Sequence, residues 1–321
     1  MNRSELLGVL FFVGGILSVY LGAGLFLIMA VFRRIFNATK KISKGWCLLR
    51  NVVYSLAILG IFCFLYGYFI EPFWPTVTRV DLPSHKVAVE AKGFRVVHLS
   101  DLHCEERPRL EPSLPDLVEK ERPDVIIFTG DALNEPAGLP HFKRTMKKLA
   151  EIAPTFAVKG NFDAWYWNEL DLFGGTGVQE LSLSSAPLTL GGVPVVVWGV
   201  PVGQEYGTSN LLSGVDRHRY NIFLYHYPDL VGEGVKSGVD LCLSGHTHGG
   251  QVALPFYGAL VTLSAYGKRF ESGLYKWQDT WLYVNRGIGM EGGPIPRVRF
   301  FSRPEITVID IKSTKNEVGR K

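Results

Sequence analysis

Charge is missing from two long stretches of this 321-residue chain: no Asp, Glu, Lys or Arg occurs from Leu6 to Phe32 or from Asn51 to Ile70. A bilayer core takes about 20 apolar helical residues, so either stretch is long enough to span one. An export signal has a shorter apolar core and a small-residue cleavage site, which the first stretch does not resemble. A buried core helix is the alternative for both, fitting the first poorly and better the second, which Gly60 and Gly67 soften, while Tyr66, Tyr68 and Trp74 suit a bilayer interface. One or two N-terminal transmembrane helices are expected.

Acidic residues are missing from the connector between these stretches, which carries Arg33, Arg34, Lys40, Lys41, Lys44 and Arg50. Such a segment is retained in the cytoplasm. With two spans, everything after Ile70 lies outside. With one, the rest of the chain is cytoplasmic and the basic segment rests on anionic headgroups. The working expectation is a bacterial inner (cytoplasmic) membrane with a cytoplasmic catalytic domain.

Cysteine is scarce as well. Cys47 and Cys63 fall in the apolar region, Cys104 and Cys242 stand alone, and no CxxC pair occurs. That gives neither a thiolate zinc site nor a disulfide framework, and packed, reduced thiols are expected. A net charge of +4 with no basic stripe argues against a nucleic-acid partner. Repeats and low-complexity segments are absent.

What is present begins after the Pro72–Pro75 region. Residues 1–75 read as a membrane anchor, 76–92 as a linker with a first strand near Lys86–Glu90, 93–311 as one catalytic domain and 312–321 as a charged tail. Within the domain, short apolar runs end in polar residues: Phe94–Leu99 before Asp101, Val125–Phe128 before Asp131, Phe156–Val158 before Asn161, Ile222–Tyr225 before His226, and Leu241–Leu243 before His246. Val193–Val200 is a further run with no such ending. Continuous apolar runs of this length suit strands buried on both faces. Leu114, Leu117 and Val118, then Phe142, Met146 and Leu149, recur at helical spacing. The alternation implies an α/β fold, whose ligands gather at the carboxyl ends of strands.

The residues at those ends are Asp101-Leu102-His103, Gly130-Asp131, Gly160-Asn161-Phe162-Asp163, His226 and Gly245-His246-Thr247-His248. Each motif alone is weak. Five in order, each after an apolar run, point to a metal centre. Carboxylate, imidazole and amide oxygen suit Mn²⁺, Fe²⁺ or Zn²⁺, and a two-metal centre of such ligands activates water against a phosphoryl group. Asp131, beside a glycine at a central strand end, is the natural bridge.

In order and spacing these motifs resemble the calcineurin-like metallophosphoesterase superfamily, and His226–Asp229, Gly245–Gln251, Tyr283–Gly289 and Pro304–Ile306 resemble its YaeI- and YkuE-like branch. The resemblance implies a four-layer α/β/β/α sandwich. It also implies one ion on Asp101, His103 and His248, a second on Asn161, His226 and His246, and Asp131 between them. Mn²⁺ is the expected metal. Asp131, Asn161 and His226 would be the catalytic residues.

One position departs from the pattern. Phe162 stands where the superfamily carries histidine, a general acid or phosphate ligand. General acids contribute about 10²–10⁴-fold where the leaving group needs a proton. A phosphate leaving group, with a second pKa of about 6, needs little help. The change therefore favours a pyrophosphate substrate. Together with the anchor and the run Trp165, Tyr166, Trp167, Leu170, Leu172 and Phe173, it favours a lipid-linked one, although core packing explains half of that run as well. The chain in this respect resembles the membrane-anchored UDP-2,3-diacylglucosamine pyrophosphatases of lipid A synthesis, which release UMP and lipid X. Lys159, Phe162 and Arg286 are the expected substrate contacts, with Arg297 and Arg299 as further phosphate candidates. Asp163, lacking a histidine to orient, is expected to make a local hydrogen bond. The competing readings are an extracytoplasmic phosphodiesterase or phosphatase acting on phospholipids or envelope polymers, and a non-catalytic membrane sensor of phosphorylated lipid.

Overall fold

A computed structural model describes residues 3–37, 41–292 and 296–314. Two long helices, α1 (Arg3–Ile35) and α2 (Lys44–Phe69), come first, and Ser43 caps α2 by accepting the Trp46 N–H. They run antiparallel. Tyr20 donates to the Ala57 carbonyl at 3.0 Å, and Phe26 packs on Trp46 and Tyr54, so a later residue of one helix meets an earlier residue of the other. Only 6% and 11% of their apolar windows are buried, which removes the core-helix reading for both. Both are long and apolar enough to cross a membrane.

Among the described residues fourteen strands follow in chain order: β1 (Thr76–Ser84), β2 (Phe94–Leu99), β3 (Val125–Phe128), β4 (Thr155–Ala157), β5 (Gln179–Glu180), β6 (Ser184–Leu190), β7 (Val193–Gly199), β8 (Tyr220–Leu224), β9 (Leu241–Ser244), β10 (Ala253–Leu254), β11 (Gly258–Ala259), β12 (Gly273–Trp277), β13 (Thr280–Val284) and β14 (Glu305–Ser313). Twelve of them build two six-stranded sheets, ordered β1-β14-β2-β3-β4-β5 and β12-β13-β9-β8-β7-β6. Alternate side chains serve different layers. In β3, Val125 and Ile127 face the other sheet, where they meet Val195, Ile222 and Leu241. Ile126 and Phe128 face outward onto Leu114 and Val118 of α3 (Leu114–Glu119) and Phe142, Met146 and Leu149 of α4 (Leu139–Ile152). On the far side Trp198, Phe223 and Cys242 pack under Leu212 and Val231. The result is the four-layer α/β/β/α sandwich.

Two expectations move. The first strand is Thr76–Ser84, not Lys86–Glu90: it pairs in parallel with β14 at a sheet edge, where its mixed polar pattern gives little signal. Lys86 instead leaves the strand to bind Asp240 at 2.7 Å. The last strand continues past Ile311 because that pairing runs to Ser84 opposite Ser313. Lys40 and the tail from 315 lie outside the described residues.

The helical pair is fastened to the sandwich at one end. Glu5, in the first turn of α1, accepts the N–H and hydroxyl of Thr262 at 3.0 and 2.6 Å. Near the end of α2, the Gly67 carbonyl accepts the Arg299 N–H at 2.9 Å. Just beyond, Glu71 accepts the Phe301 and Ser302 N–H groups at 3.0 and 2.6 Å.

Candidate active site

Both sheets deliver their strand ends to one place. Asp101 and His103 follow β2, Asp131 follows β3, Asn161 opens the short helix α5 (Asn161–Trp165) after β4, His226 follows β8, and His246 and His248 follow β9. All seven are buried. Five of them, Asp101, His103, Asp131, His246 and His248, have φ between 44° and 69°, a region costly for residues with a Cβ. Backbone bonds between the loops hold this geometry: Asp101 N–H to Gly130 O at 2.8 Å, and Gly289 N–H to Asp101 O at 2.7 Å. At Gly130 and Gly160 a Cβ would overlap the neighbouring loop, so close approach demands glycine at both, and at Gly130 a φ of 99° demands it as well.

Ligand atoms converge in two groups, Asp101 with His103 and His248, and Asp101 with Asp131 and His226. His103 and His248 bring their Nε2 atoms to 3.2 Å, a separation expected of two nitrogens sharing an ion at about 2.0–2.1 Å each. Asp131 Oδ2 lies 3.2 Å from His226 Nε2 and 3.7 Å from His103 Nε2, within reach of both groups. His246 stands to one side, its ring against Tyr227 at 4.1 Å and His226 at 5.2 Å, while its N–H donates to Asp101.

Whether these residues fit metal ions is decided by their unmet polar atoms. Asn161 Oδ1 is buried without a hydrogen-bond partner, which is costly unless a ligand supplies one, and His226 Nε2 faces only the carboxylates of Asp131 and Asp101, at 3.2 and 3.8 Å. The other nitrogen of His226 is 2.6 Å from Thr129 O, which aims Nε2 at the carboxylates. The donor set is all oxygen and imidazole. The residues fit divalent ions.

Burial pushes His103 and His246 down to about 3, so they are neutral donors at ordinary pH. Burial also opposes ionisation of Asp101 and Asp131, but the surrounding imidazoles outweigh it and hold both low. His226 is pulled down by burial yet pushed up more by Asp131 and Asp101, to about 10. Without an ion, a proton balances the carboxylates.

Asp163 makes the local bonds expected of it, and more: its carboxylate accepts the N–H groups of Asp131, Ala132 and Gly160 at 2.8–2.9 Å, tying the ends of β3 and β4 together. Phe162 donates its N–H to Asp131 Oδ1 at 2.8 Å, and its ring sits edge-on to His103 at 4.8 Å.

A cleft of about 700 Å³ opens beside His246 and His248, within the range of small-molecule sites. Phe162, Tyr166 and Trp167 form one wall; Gln251, Val252, Thr262 and Leu263 another; Glu291 and Arg297 lie at its side. Of the aromatic run, Leu172 and Phe173 are core instead. Lys159 and Arg286 do not line the cleft, because carboxylates take them: Glu180 at 3.9 Å and Glu305 at 3.2 Å. Arg299 is no surface cation either. It is wholly buried, and donates to the carbonyls of Arg286, Gly287, Gly289 and Ser302, with Nη2 3.3 Å from His248 Nδ1. Sequence reasoning missed Gln251 and Glu291, which exchange backbone–amide bonds of 2.9 Å across the cleft side; they sit in irregular chain with no periodic signal.

Residues 94–250 match the family profile described as calcineurin-like phosphoesterase. The chain is 33% identical over 267 residues to the metallophosphoesterase YkuE of Bacillus subtilis, covering 78% of this chain and 90% of that one. It is 30% identical over 263 residues to the phosphodiesterase YaeI of Escherichia coli, covering 77% and 92%. Among solved structures, TT1561 of Thermus thermophilus aligns at 14% identity and a TM-score of 0.41, covering 62% of this chain and 92% of that one.

Proposed function

The chain belongs to the calcineurin-like phosphoesterases, metal-dependent hydrolases of phosphate esters, and on that premise we propose that it cleaves the pyrophosphate of a membrane lipid with two divalent ions. Asp101, His103 and His248 would hold one ion and Asn161, His226 and His246 the other, with Asp131 in reach of both, and Mn²⁺ is the proposed metal. When bound, such ions supply Lewis-acid charge and water activation. The protein's part is to hold neutral imidazoles and ionised carboxylates at fixed strand ends, with Thr129 and Arg299 orienting His226 and His248.

Phe162 carries the choice of substrate. It occupies the cleft wall beside His103, and both histidines that line the cleft belong to the ligand set. With no spare imidazole to protonate a leaving alkoxide, a phosphate leaving group is favoured. UDP-2,3-diacylglucosamine is the member of this class to which the sequence resemblance leads. A second reading, a phosphodiesterase acting on phospholipid outside the cytoplasm, is supported by the attachment of both helices to the sandwich at one end.

Purified full-length protein with Mn²⁺, assayed on UDP-2,3-diacylglucosamine and on a phospholipid diester, separates these readings. Faster cleavage of the pyrophosphate is expected, and Phe162→His should leave it unchanged. A large gain in that variant would contradict the leaving-group argument. Inertness on both substrates despite bound metal would favour a sensor.

A further inference from the structure

The cleft and the helical pair meet. Thr262 lines the cleft and is also the residue held by Glu5 of α1. Val298 lines it too, and a Cβ placed on Gly67 of α2 would lie 3.7 Å from Val298 and 2.9 Å from the Arg299 carbonyl. Both helices therefore end against the cleft's own wall, one at its N-terminal turn and the other at its C-terminal turn. Each is long enough, at about 1.5 Å per residue, to cross a hydrocarbon core of about 30 Å before reaching the connector.

The surface around those helix ends has the composition of a bilayer interface. Phe256 and Phe301 are exposed, and Tyr257 lies against Gly8 of α1. Lys268, paired with Glu271 at 2.8 Å, stands over the Tyr257 ring at 4.0 Å, and Arg303, whose guanidinium has no carboxylate within salt-bridge distance among the described residues, over the Trp74 ring at 4.0 Å. Exposed aromatics paired with cations suit the headgroup level, where apolar faces enter the acyl boundary and charges meet phosphate. The charge pattern supplies the side. Arg33, Arg34, Lys41, Lys44 and Arg50, with no acid between them, lie at or near the hairpin's far end, and such a connector is retained in the cytoplasm.

We propose that α1 and α2 form a two-span hairpin that seats the cleft mouth on the non-cytoplasmic leaflet, from which a lipid presents its phosphate sideways to the metal site. This reverses the cytoplasmic placement expected from a single span. It rests on the phosphohydrolase reading only for what the lipid undergoes; the seating itself follows from the hairpin. Of the two readings above, this placement favours the second, a lipid phosphodiester of the non-cytoplasmic leaflet, over a nucleotide-linked lipid confined to the cytoplasmic leaflet, which would lie out of reach.

Sidedness is read first. With Cys47 and Cys63 replaced by serine, Ser185→Cys on the exposed edge strand β6 and Ser43→Cys in the connector are labelled in right-side-out spheroplasts with a membrane-impermeant maleimide. Labelling of Ser185→Cys in intact spheroplasts, and of Ser43→Cys only after lysis, is the expected result. The reverse pattern, or shielding of both sites until lysis, overturns the proposal.

Seating is read second. The double variant Phe256→Ser/Phe301→Ser is compared with the unaltered protein on a lipid phosphate embedded in phosphatidylglycerol–phosphatidylethanolamine vesicles and on soluble bis(4-nitrophenyl) phosphate. The vesicle rate should fall about tenfold with the soluble rate unchanged, since two buried aromatic side chains hold the mouth to the surface. Equal rates on vesicles, or equal loss on both substrates, overturn the seating. If the unaltered protein cleaves neither substrate, the phosphohydrolase reading fails while the labelling result still stands.

Discussion

The two sides of the cleft are built on different terms. On the ligand side, seven buried residues sit at the ends of strands in two packed sheets, five of them held at positive φ by bonds between loops. On the side facing the hairpin, Val252, Thr262, Leu263, Glu291 and Arg297 come from irregular chain, and most of them are half-buried. Positive φ occurs on both sides, at Leu263 (φ 55°) as well as at the ligands, each costing about 1–3 kcal/mol, so what sets the ligand side apart is its full burial against two sheets. The ligand side therefore fixes the chemistry, while the wall next to the membrane sets what enters.

The largest expected effect breaks the ligand side outright. Asp131→Ala or Asn161→Ala should lower kcat on the order of 10³-fold or more on any phosphoester, measured with bis(4-nitrophenyl) phosphate at saturating Mn²⁺. Retention of a tenth of the rate would remove these residues from the centre.

Next comes pH. In the metal-free protein His226 carries a proton up to about 10, whereas His103 and His246 are already neutral above about 3. An ion must displace the His226 proton, so affinity should rise with pH, about tenfold per unit below pH 10. Calorimetry in buffers of different ionisation heat should find close to one proton released per loaded chain at pH 7. The same shift has the opposite sense for stability without metal. A folded pKa above the ordinary 6.5 makes the His226 contribution full below about 6.5, and it is lost as pH rises toward 10. His98, His103 and His246, lowered by burial to about 3, act the other way: their contribution is lost as pH falls from about 6.5 to 3.

A smaller effect belongs to Arg299→Met. It would leave the carbonyls of Gly289 and Ser302 without a donor and His248 without its neighbour. Metal affinity should fall about 10–100-fold, with a lower Tm. The smallest effect should come from the other wall: Gln251→Ala should raise KM a few-fold with kcat intact. A collapse of kcat there would erase the distinction between the two sides.

The ligand side was legible because its rules are local. Apolar runs such as Val125–Ile126–Ile127–Phe128 announce doubly buried strands, and a carboxylate or histidine after each is placed by the sheet without knowledge of the rest of the fold. The edge strand Thr76–Ser84 was not legible, since one exposed side leaves a mixed pattern; its partner β14 lies more than two hundred residues away. Arg299 illustrates the other failure. A lone arginine in sequence reads as surface, and only the tertiary meeting of four carbonyls around it explains its burial. Phe162 was readable as a departure, but not its packing on His103. The hairpin's attachment was hidden because Glu5 and Thr262 are brought together solely by the fold.

The most direct test of the central claim is metal stoichiometry on the full-length protein, measured by elemental analysis after equilibration with Mn²⁺, together with Mn²⁺–Mn²⁺ coupling in the electron paramagnetic resonance spectrum. Two coupled ions per chain, reduced to one or none in Asn161→Ala, is the predicted result. A single uncoupled ion in the unaltered protein, or two retained in the variant, would contradict a two-metal centre at these strand ends.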